Sequence, residues 1–413
     1  MLRSLVGSEM CIRDRNIIKI VSASIIAVFF TVYTASAFSS GAKLFATLFS
    51  DSASGDENYN RVYVIGLIVA AVVILVYTFM GGFKAVCTTD LIQGLMMIVA
   101  ILTVPVLAYA ILTFDTSFSS ALAAKGVEQP AQFLNFFVNG DGTPVSAVSI
   151  ISNLAWGLGY FGMPHILVRF MAVKSNEEIK KSRKIAVVWV IISLTASCLI
   201  GLIARGYLTA QLDDATSESV FIRTIQQLFS GNGVLIFIGG IFLCGILAAI
   251  MSTADSQLLV TASAVSEDLY KGAVKKNASE KSSLLVGKIA VAVVAVIAFF
   301  IALNPKSSIM GLVSDAWAGF GSAFGPVVLL ALFWKRSTLS GAISGMATGA
   351  LTVIIWDYIP LVNGQTLYAA TNLYSLVVGF GLALIVNVIV SLLSKTPSKE
   401  IMDEFDSIKN IEV

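Results

Sequence analysis

A run of polar side chains interrupts one of the most apolar stretches of the sequence, near residue 250. Ser252 and Thr253 are adjacent, and Asp255 follows two positions later. Polar groups inside so apolar a block are costly and usually mark a functional site. Sodium is a hard cation that prefers several oxygen ligands. The two hydroxyls, with the carbonyl of Ala249 one turn back, predict a sodium site; interhelical hydrogen bonding by Ser and Thr is the alternative.

A second segment, Trp156 to Pro164, carries three glycines and a proline within another apolar block. Such residues weaken helical pairing and free carbonyl groups, which at membrane depth are tolerated only beside protein or a cavity. Interrupted helices of this kind build solute sites in secondary transporters. Trp156, Tyr160 and Pro164 are four residues apart and would share one face of an intact helix. The segment predicts an aromatic site for a small solute; a kinked packing helix is the alternative.

Four further polar residues lie inside or beside apolar blocks. Asp90 follows two threonines where the third block begins, and it either belongs to an ion path or caps the helix. Lys43 and Arg169 are expected to snorkel or to pair. His165, the only histidine, is expected to be a hydrogen-bonded packing residue rather than a proton relay.

No conventional enzyme is indicated. The sequence has no phosphate-binding glycine loop, no metal-ligand spacing and no nucleophile motif, and its four cysteines are scattered. We expect no catalytic residues, no cofactor, no metal other than sodium and no nucleic-acid partner. Because no ATP-binding segment is visible, any transport would draw on an ion gradient.

The composition determines the fold class. Of the 413 residues, 57% are hydrophobic and 13% are charged, against about 25% charged in soluble domains. The apolar residues form blocks of about 20, the length of a membrane-spanning helix. We predict an all-α polytopic membrane protein in contact with lipid, with about ten transmembrane helices. The predicted spans cover 18–48, 62–80, 88–113, 146–172, 185–206, 233–264, 285–303, 311–334, 339–359 and 367–393.

The basic residues orient these spans. Of the 27 Lys and Arg residues, 20 fall on one side, five fall on the other, and Lys43 and Arg169 lie within spans. The positive-inside rule places both termini in the cytoplasm. Residues 1–15 lack the order of a signal peptide, and we expect a non-native or disordered leader, with a short cytoplasmic tail as the alternative. Residues 16–393 are the predicted transmembrane domain, and 394–413 the cytoplasmic tail.

Several motifs resemble one known family. The stretch 77–85 (YTFMGGFKA) is similar to one signature of the sodium:solute symporter family, and the stretch from 331 to 349 is similar to the other. Further agreement lies in 30–36, 156–170, 247–259, 267–271 and 316–326. The resemblance begins near Ile17 and extends to the end of the chain, so it does not depend on one motif.

The resemblance implies a fold, an activity and site residues. The fold is a transporter core of five plus five helices in inverted repeats, and the activity is sodium-coupled uptake of L-proline across the bacterial cytoplasmic membrane by alternating access. Ala249, Ser252 and Thr253 match sodium-coordinating positions, and Asp90 matches an aspartate on the sodium path. Tyr33, Trp156, Tyr160 and Pro164 match positions associated with proline binding. Asp255 is assigned no firm role.

Two questions stay open at this point. Proline symporters of the family have about thirteen spans and this sequence has about ten, so we expect an N-terminally truncated core. We therefore expect no proline uptake by the 413 residues expressed alone. The alternatives are a symporter of the same family for another solute (pantothenate, another amino acid or a sugar) or a transporter-like sensor. The short tail argues against the sensor.

Overall fold

The computed structural model describes residues 16–50, 56–80, 83–139, 142–214, 216–275, 277–304 and 308–409. The predicted leader, residues 1–15, lies outside them. Helices dominate the described chain. In chain order they are α1 (Asn16–Phe49), α2 (Glu57–Met80), α3 (Phe83–Leu112), α4 (Phe118–Ala124), α5 (Pro130–Phe133), α6 (Ala147–Gly159), α7 (Pro164–Met171), α8 (Asn176–Tyr207), α9 (Val220–Leu228), α10 (Gly233–Ser263), α11 (Glu280–Ala302), α12 (Ile309–Phe333), α13 (Leu339–Tyr358), α14 (Leu367–Thr371), α15 (Ser375–Leu393) and α16 (Lys399–Lys409).

Nine helices in this part of the chain are long and apolar enough to cross a membrane: α1, α2, α3, α8, α10, α11, α12, α13 and α15. Each coincides with a predicted span, although α8 begins nine residues earlier than predicted. The all-α membrane fold is thereby confirmed. The side chains explain the membrane preference, because one face of α2 exposes Val72, Val76 and Met80 while another buries Leu67 and Ile74.

The remaining predicted span, 146–172, is not one helix. Helix α6 ends at Gly159 and helix α7 begins at Pro164, so neither half reaches the length of a continuous span. The break lies where the sequence predicts it. Pro164 occupies the first position of α7, where its missing N–H group leaves no helical hydrogen bond unmade.

Helix α12 lies at the centre of the bundle. Its segment Ala316–Phe320 is buried, and the helix packs against α1, α13, α15 and α6. One core cluster joins Phe30 and Met163 to Phe320, and a second joins Phe38 and Tyr63 of α1 and α2 to Leu258 of α10. Helix α1 contributes to both clusters and so connects the two halves of the core.

Two irregular segments complete the described chain. Helix α10 continues directly into a π-helix, Ala264–Val274, before α11 begins. Two short antiparallel strands, β1 (Pro360–Val362) and β2 (Gln365–Thr366), form a hairpin between α13 and α14. Its turn places Asn363 and Gly364 at φ of 50° and 77°, a left-handed region that suits both residue types.

Candidate functional site

The predicted sodium residues form a compact group of oxygen atoms on α10. The Ser252 hydroxyl donates to the Ala249 carbonyl at 3.2 Å, and the Thr253 hydroxyl donates to the same carbonyl at 2.9 Å. All three residues are partly exposed rather than sealed in the core. Each hydroxyl oxygen keeps lone pairs after donating its proton, so the three oxygens can face one cation.

Asp90 is not a helix cap. Helix α3 begins at Phe83, so Asp90 lies two turns inside it, and the capping alternative is wrong. The Asp90 carboxylate instead pairs with Arg169 of α7 at 2.5 Å. Arg169 also donates to the His165 carbonyl at 2.9 Å, which fixes the guanidinium against its own helix.

Ser256 connects this ion pair to the sodium group. Its hydroxyl accepts from Arg169 at 2.8 Å and lies 2.9 Å from the Ser252 carbonyl and 3.5 Å from Asp90. A hydroxyl has one proton, so the shorter contact identifies the Ser252 carbonyl as its acceptor. A hydrogen-bonded path therefore runs from Asp90 through Arg169 and Ser256 to Ser252, whose hydroxyl is a predicted sodium ligand.

Two carboxylate oxygens near this path lack partners. Asp90 Oδ1 and Asp255 Oδ2 have no hydrogen-bond donor within the described chain, although Asp255 is fully buried and its Oδ1 lies 3.4 Å from the Ser256 hydroxyl. Unpaired carboxylate oxygens away from water are costly unless a cation or a proton satisfies them. The region therefore has unused capacity for a positive charge.

The break between α6 and α7 leaves backbone carbonyls without hydrogen-bond donors. Among the described residues, no hydrogen bond reaches the carbonyl oxygens of Tyr160, Phe161 or Gly162. The turn also packs against α12 so closely that side chains are excluded. A β-carbon on Gly162 would lie 2.3 Å from the Phe320 carbonyl oxygen, and one on Gly159 would lie 1.9 Å from the Trp317 indole nitrogen.

An aromatic wall, defined here as Trp156, Tyr160, Trp317 and Tyr374, lines the first half of the broken helix. The Trp317 ring is edge-on to Tyr160 with centroids 4.9 Å apart, and Trp156 stacks on Tyr374 at 5.4 Å. The Trp317 indole donates to the Trp156 carbonyl at 2.9 Å. The wall therefore presents ring faces and edges in a fixed arrangement beside the free carbonyls.

Tyr33 of α1 approaches the second half of the broken helix instead. Its ring lies edge-on to that of His165, with the ring centroids 6.4 Å apart. His165 also packs against Phe30, as expected for a packing residue, but its Nδ1 has no hydrogen-bond partner in the described chain. Pro164 is buried at the start of α7. Because the helix breaks between Gly159 and Pro164, Pro164 does not share a helical face with Trp156 and Tyr160.

Sequence reasoning missed Trp317 and Tyr374. Both lie more than 150 residues beyond Trp156 in the chain, and only folding brings them to it. The one available signal was the motif at 316–326, which contains Trp317 among small residues. No comparable signal preceded Tyr374.

The two intramembrane cations both pair, as predicted. Lys43, near the end of α1, lies 2.6 Å from Glu218, whose other carboxylate oxygen accepts from the Ser308 hydroxyl at 3.0 Å and from the Met310 amide at 3.1 Å. Burial alone would raise the pKa of the Glu218 carboxyl, but hydrogen bonds from Lys43 and the backbone start of α12 hold that pKa below its ordinary value. Glu218 thus ties α1 to α12 at one end of the bundle.

Comparison with known proteins agrees with this architecture. The "Osmoregulated proline transporter OpuE" of Bacillus subtilis is 42% identical over 93% of this chain and 72% of its own length. A "Sodium/proline symporter" of Staphylococcus aureus is 41% identical over 96% of this chain and 73% of its own length. A solved structure of a Na+-coupled sialic acid symporter, described as substrate-bound and outward-open with a novel Na+ site, shares the fold with a TM-score of 0.68 at 18% identity, over 95% of this chain and 78% of that one.

The family assignment rests on the length of the match. The sequence profile of the sodium:solute symporter family matches residues 11–349, which include the sodium group, Asp90, the broken helix and Trp317. A match of that extent, together with relatives above 40% identity, leaves one conclusion: the chain belongs to the sodium:solute symporter family.

Proposed function

We propose that the protein couples the entry of Na+ to the uptake of L-proline by alternating access. One observation carries the proposal: helix α7 joins the two sites. Pro164 at its start directly follows the turn with the free carbonyls, and Arg169, five residues later, contacts Asp90 and Ser256 beside the sodium group. Five residues of helix span about 7.5 Å, so a shift at one end of α7 moves the other.

The sodium site uses the oxygens of Ala249, Ser252 and Thr253. On binding, the ion takes lone pairs from both hydroxyls and from the carbonyl that they now share. Three oxygens are fewer than a hard cation prefers, so water or other backbone groups complete its shell.

Asp90 provides the path for the ion. In this conformation its carboxylate is neutralised by Arg169, and one of its oxygens remains unsatisfied. A sodium ion leaving the Ser252 group competes with the guanidinium for the same carboxylate. Displacement of Arg169 then moves α7, which changes the solute site at the other end of that short helix.

The solute site suits proline in two respects. The apolar pyrrolidine ring packs on the aromatic wall, where ring faces bury apolar area efficiently. The secondary ammonium group has two N–H donors, and the carbonyls of Tyr160, Phe161 and Gly162 are free to accept them. Tyr33 closes the far side of this turn beside His165.

The driving force is sufficient for accumulation. One charge moving through about 100 mV supplies roughly 2.3 kcal/mol. A tenfold sodium gradient adds about 1.4 kcal/mol. Together they support accumulation of several hundredfold at one sodium per solute, which is the stoichiometry that a single group of sodium-type oxygens suggests. The protein works in the bacterial cytoplasmic membrane, with both ends of this chain in the cytoplasm, because the lysine-rich connections favour that side.

The test is uptake of labelled proline by transport-deficient cells that express the complete reading frame encoding this chain. We expect uptake to require Na+ and to be inhibited by unlabelled proline, but not by pantothenate, other amino acids or sugars. Inhibition by another solute at lower concentration than proline would reassign the substrate. Uptake that is unchanged when choline replaces Na+ would overturn the coupling, and absence of uptake with retained binding would favour the sensor alternative.

A further inference from the structure

A cavity of about 500 Å³ lies outside the candidate transport site, between α2, the end of α10, the π-helix and the start of α11. Ligand pockets typically have volumes of about 300–1,000 Å³. The cavity lies beside the lysine-rich connection between the π-helix and α11, on the side that the positive-inside rule assigns to the cytoplasm. It shares no residue with the sodium group or the aromatic wall.

One stripe of α11 forms a wall of the cavity. Glu280, Ser283, Leu284, Lys288 and Val291 line it at helical spacing, so they succeed one another along a single face. From the start of α11 onwards, the face presents a carboxylate, a hydroxyl, an apolar side chain (Leu284), an ammonium group and a second apolar side chain (Val291). Glu280 and Lys288 are about 12 Å apart along the axis.

The opposite wall adds a second carboxylate and more apolar surface. Glu267 of the π-helix, which pairs with Lys271 at 3.1 Å, lines the cavity together with Phe79 and Leu259. The Tyr270 hydroxyl bonds the Ser282 hydroxyl at 2.8 Å and holds the π-helix against α11. The cavity is therefore a fixed gap between helices that are tied together.

An unsatisfied polar group points to a ligand. Ser283 is 4% exposed, lines the cavity, and its hydroxyl has no hydrogen-bond partner within the described chain. A buried hydroxyl without a partner costs free energy that a bound polar group would recover. A purely apolar occupant would leave that cost in place.

We propose that this cavity binds one phospholipid whose headgroup carries a primary ammonium, as in phosphatidylethanolamine. The order of groups in such a lipid, from the membrane surface inwards, is ammonium, phosphate, glycerol and acyl chains. The charges of such a lipid complement the cavity, but Ser283 precedes Lys288 along α11, so the Lys288 side chain extends back past Ser283 to reach the phosphate. The ammonium meets Glu280 and Glu267, the phosphate meets Lys288, whose long side chain reaches back towards the interface, and the glycerol oxygens accept from Ser283. The acyl chains continue along Leu284 and Phe79.

A series of headgroups tests the ammonium contact on the unaltered protein. The product of the complete reading frame is purified in detergent and titrated with dioleoyl phosphatidylethanolamine, its mono- and dimethyl forms and phosphatidylcholine, with bound lipid counted by native mass spectrometry. Each methyl group removes one N–H donor without removing the charge. We expect the apparent Kd to rise stepwise, by about tenfold across the series. Equal Kd values across the series, or no lipid bound at any concentration because another segment of the chain fills the cavity, would overturn the proposal.

Variants locate the site. The double variant Glu280→Gln with Lys288→Gln should bind phosphatidylethanolamine no better than phosphatidylcholine. The matched controls are Lys281→Gln, on the same helix but outside the cavity, and Glu177→Gln on α8, and both should retain the preference. If the double variant does not fold, Glu267→Gln replaces it, with a smaller loss of preference expected because Glu280 still faces the ammonium group. A preference that survives in whichever variant folds would place the lipid elsewhere and defeat the assignment.

Discussion

Helix α10 and the pair α6–α7 both present oxygen atoms at membrane depth, and they do so by opposite means. Helix α10 keeps its backbone hydrogen bonds and supplies side-chain hydroxyls, so its oxygens converge on a carbonyl that already belongs to the helix. The pair α6–α7 gives up backbone hydrogen bonds and supplies free carbonyls at Tyr160, Phe161 and Gly162. One region is an intact helix with polar side chains, and the other is a broken helix with apolar ones.

The difference matches what each region is proposed to bind. A sodium ion needs several oxygens in a small volume, which adjacent hydroxyls on an intact helix provide. An organic solute with an apolar ring needs a wide surface and a few acceptors, which the aromatic wall and a broken turn provide. Arg169 joins the two regions. A change in one region can therefore be tested for its effect on sodium dependence and on proline affinity.

The largest effect is expected from removing both hydroxyls of the sodium group, Ser252→Ala with Thr253→Ala. Each lost contact to a charged group costs about 1.5 kcal/mol, so the sodium concentration for half-maximal uptake should rise by about a hundredfold. Sodium titration of proline uptake measures this. Thr261→Ala is the control, because its hydroxyl also bonds its own helix, at Gln257, away from the sodium group. An equal loss in the control would mean that the hydroxyls act only on helix packing.

The broken helix should be sensitive to a single methyl group. In Gly159→Ala the new β-carbon meets the Trp317 indole, whereas in Gly157→Ala nothing lies within 4 Å. We expect Gly159→Ala to destabilise the protein by about 1–3 kcal/mol and to weaken proline affinity. Gly157→Ala should be neutral or slightly stabilising, since alanine favours helix. Both variants are compared by their unfolding temperature in detergent and their affinity for proline. Equal values for the two would mean that the close contact between Gly159 and Trp317 does not matter for either property.

The hydrogen bond that fixes the aromatic wall can be removed while an aromatic side chain stays at that position. Trp317→Phe deletes the indole donor to the Trp156 carbonyl, and we expect the KM for proline to rise by about tenfold with unchanged sodium dependence. Trp356→Phe is the matched control, because Trp356 makes the same kind of bond, to the Leu373 carbonyl at 2.9 Å, outside the wall. A change in sodium dependence in Trp317→Phe alone would mean that the Trp317 hydrogen bond also acts on the sodium group.

Sequence reasoning succeeded where the signal was local. Spans follow from blocks of apolar residues, and the break follows from Gly159, Gly162 and Pro164 within nine residues of Trp156. Family membership confirms a sodium-coupled transporter rather than an enzyme, with Na+ as the coupling ion and no cofactor. Lys43 and Arg169 were expected to snorkel or to pair, and both pair.

The sequence carries no comparable local signal for the first residue of α3 or for contacts between residues far apart in the chain. The apolar stretch begins near residue 88, yet α3 begins at Phe83, so the polar first turns hid the fact that Asp90 is inside a helix. Tyr374 reaches Trp156 only through the packing of α15 on α6. The π-helix at Ala264–Val274 has no sequence signature. The inverted repeats and the roles of the individual site residues stay predictions.

The smallest effect is expected at Glu218, which fixes the start of α12 and so supports the helix that carries Trp317. Because the pKa of the Glu218 carboxyl is lowered from its ordinary value of 4.5, the folded state favours its charged form. Its contribution to stability is therefore complete above about pH 5 and is lost as the pH falls through the lowered pKa. Glu218→Gln should lower stability by about 0.5–1 kcal/mol at pH 6, and the difference from the unaltered protein should be smaller at pH 3. Unfolding temperatures at both pH values measure this difference in stability.

The control is Asp406→Asn, which breaks the exposed pair with Lys335. It should show no difference in stability from the unaltered protein at either pH. If the stability difference between Glu218→Gln and the unaltered protein stays the same at low pH, the glutamate acts through packing, and its charge does not hold α12 in place.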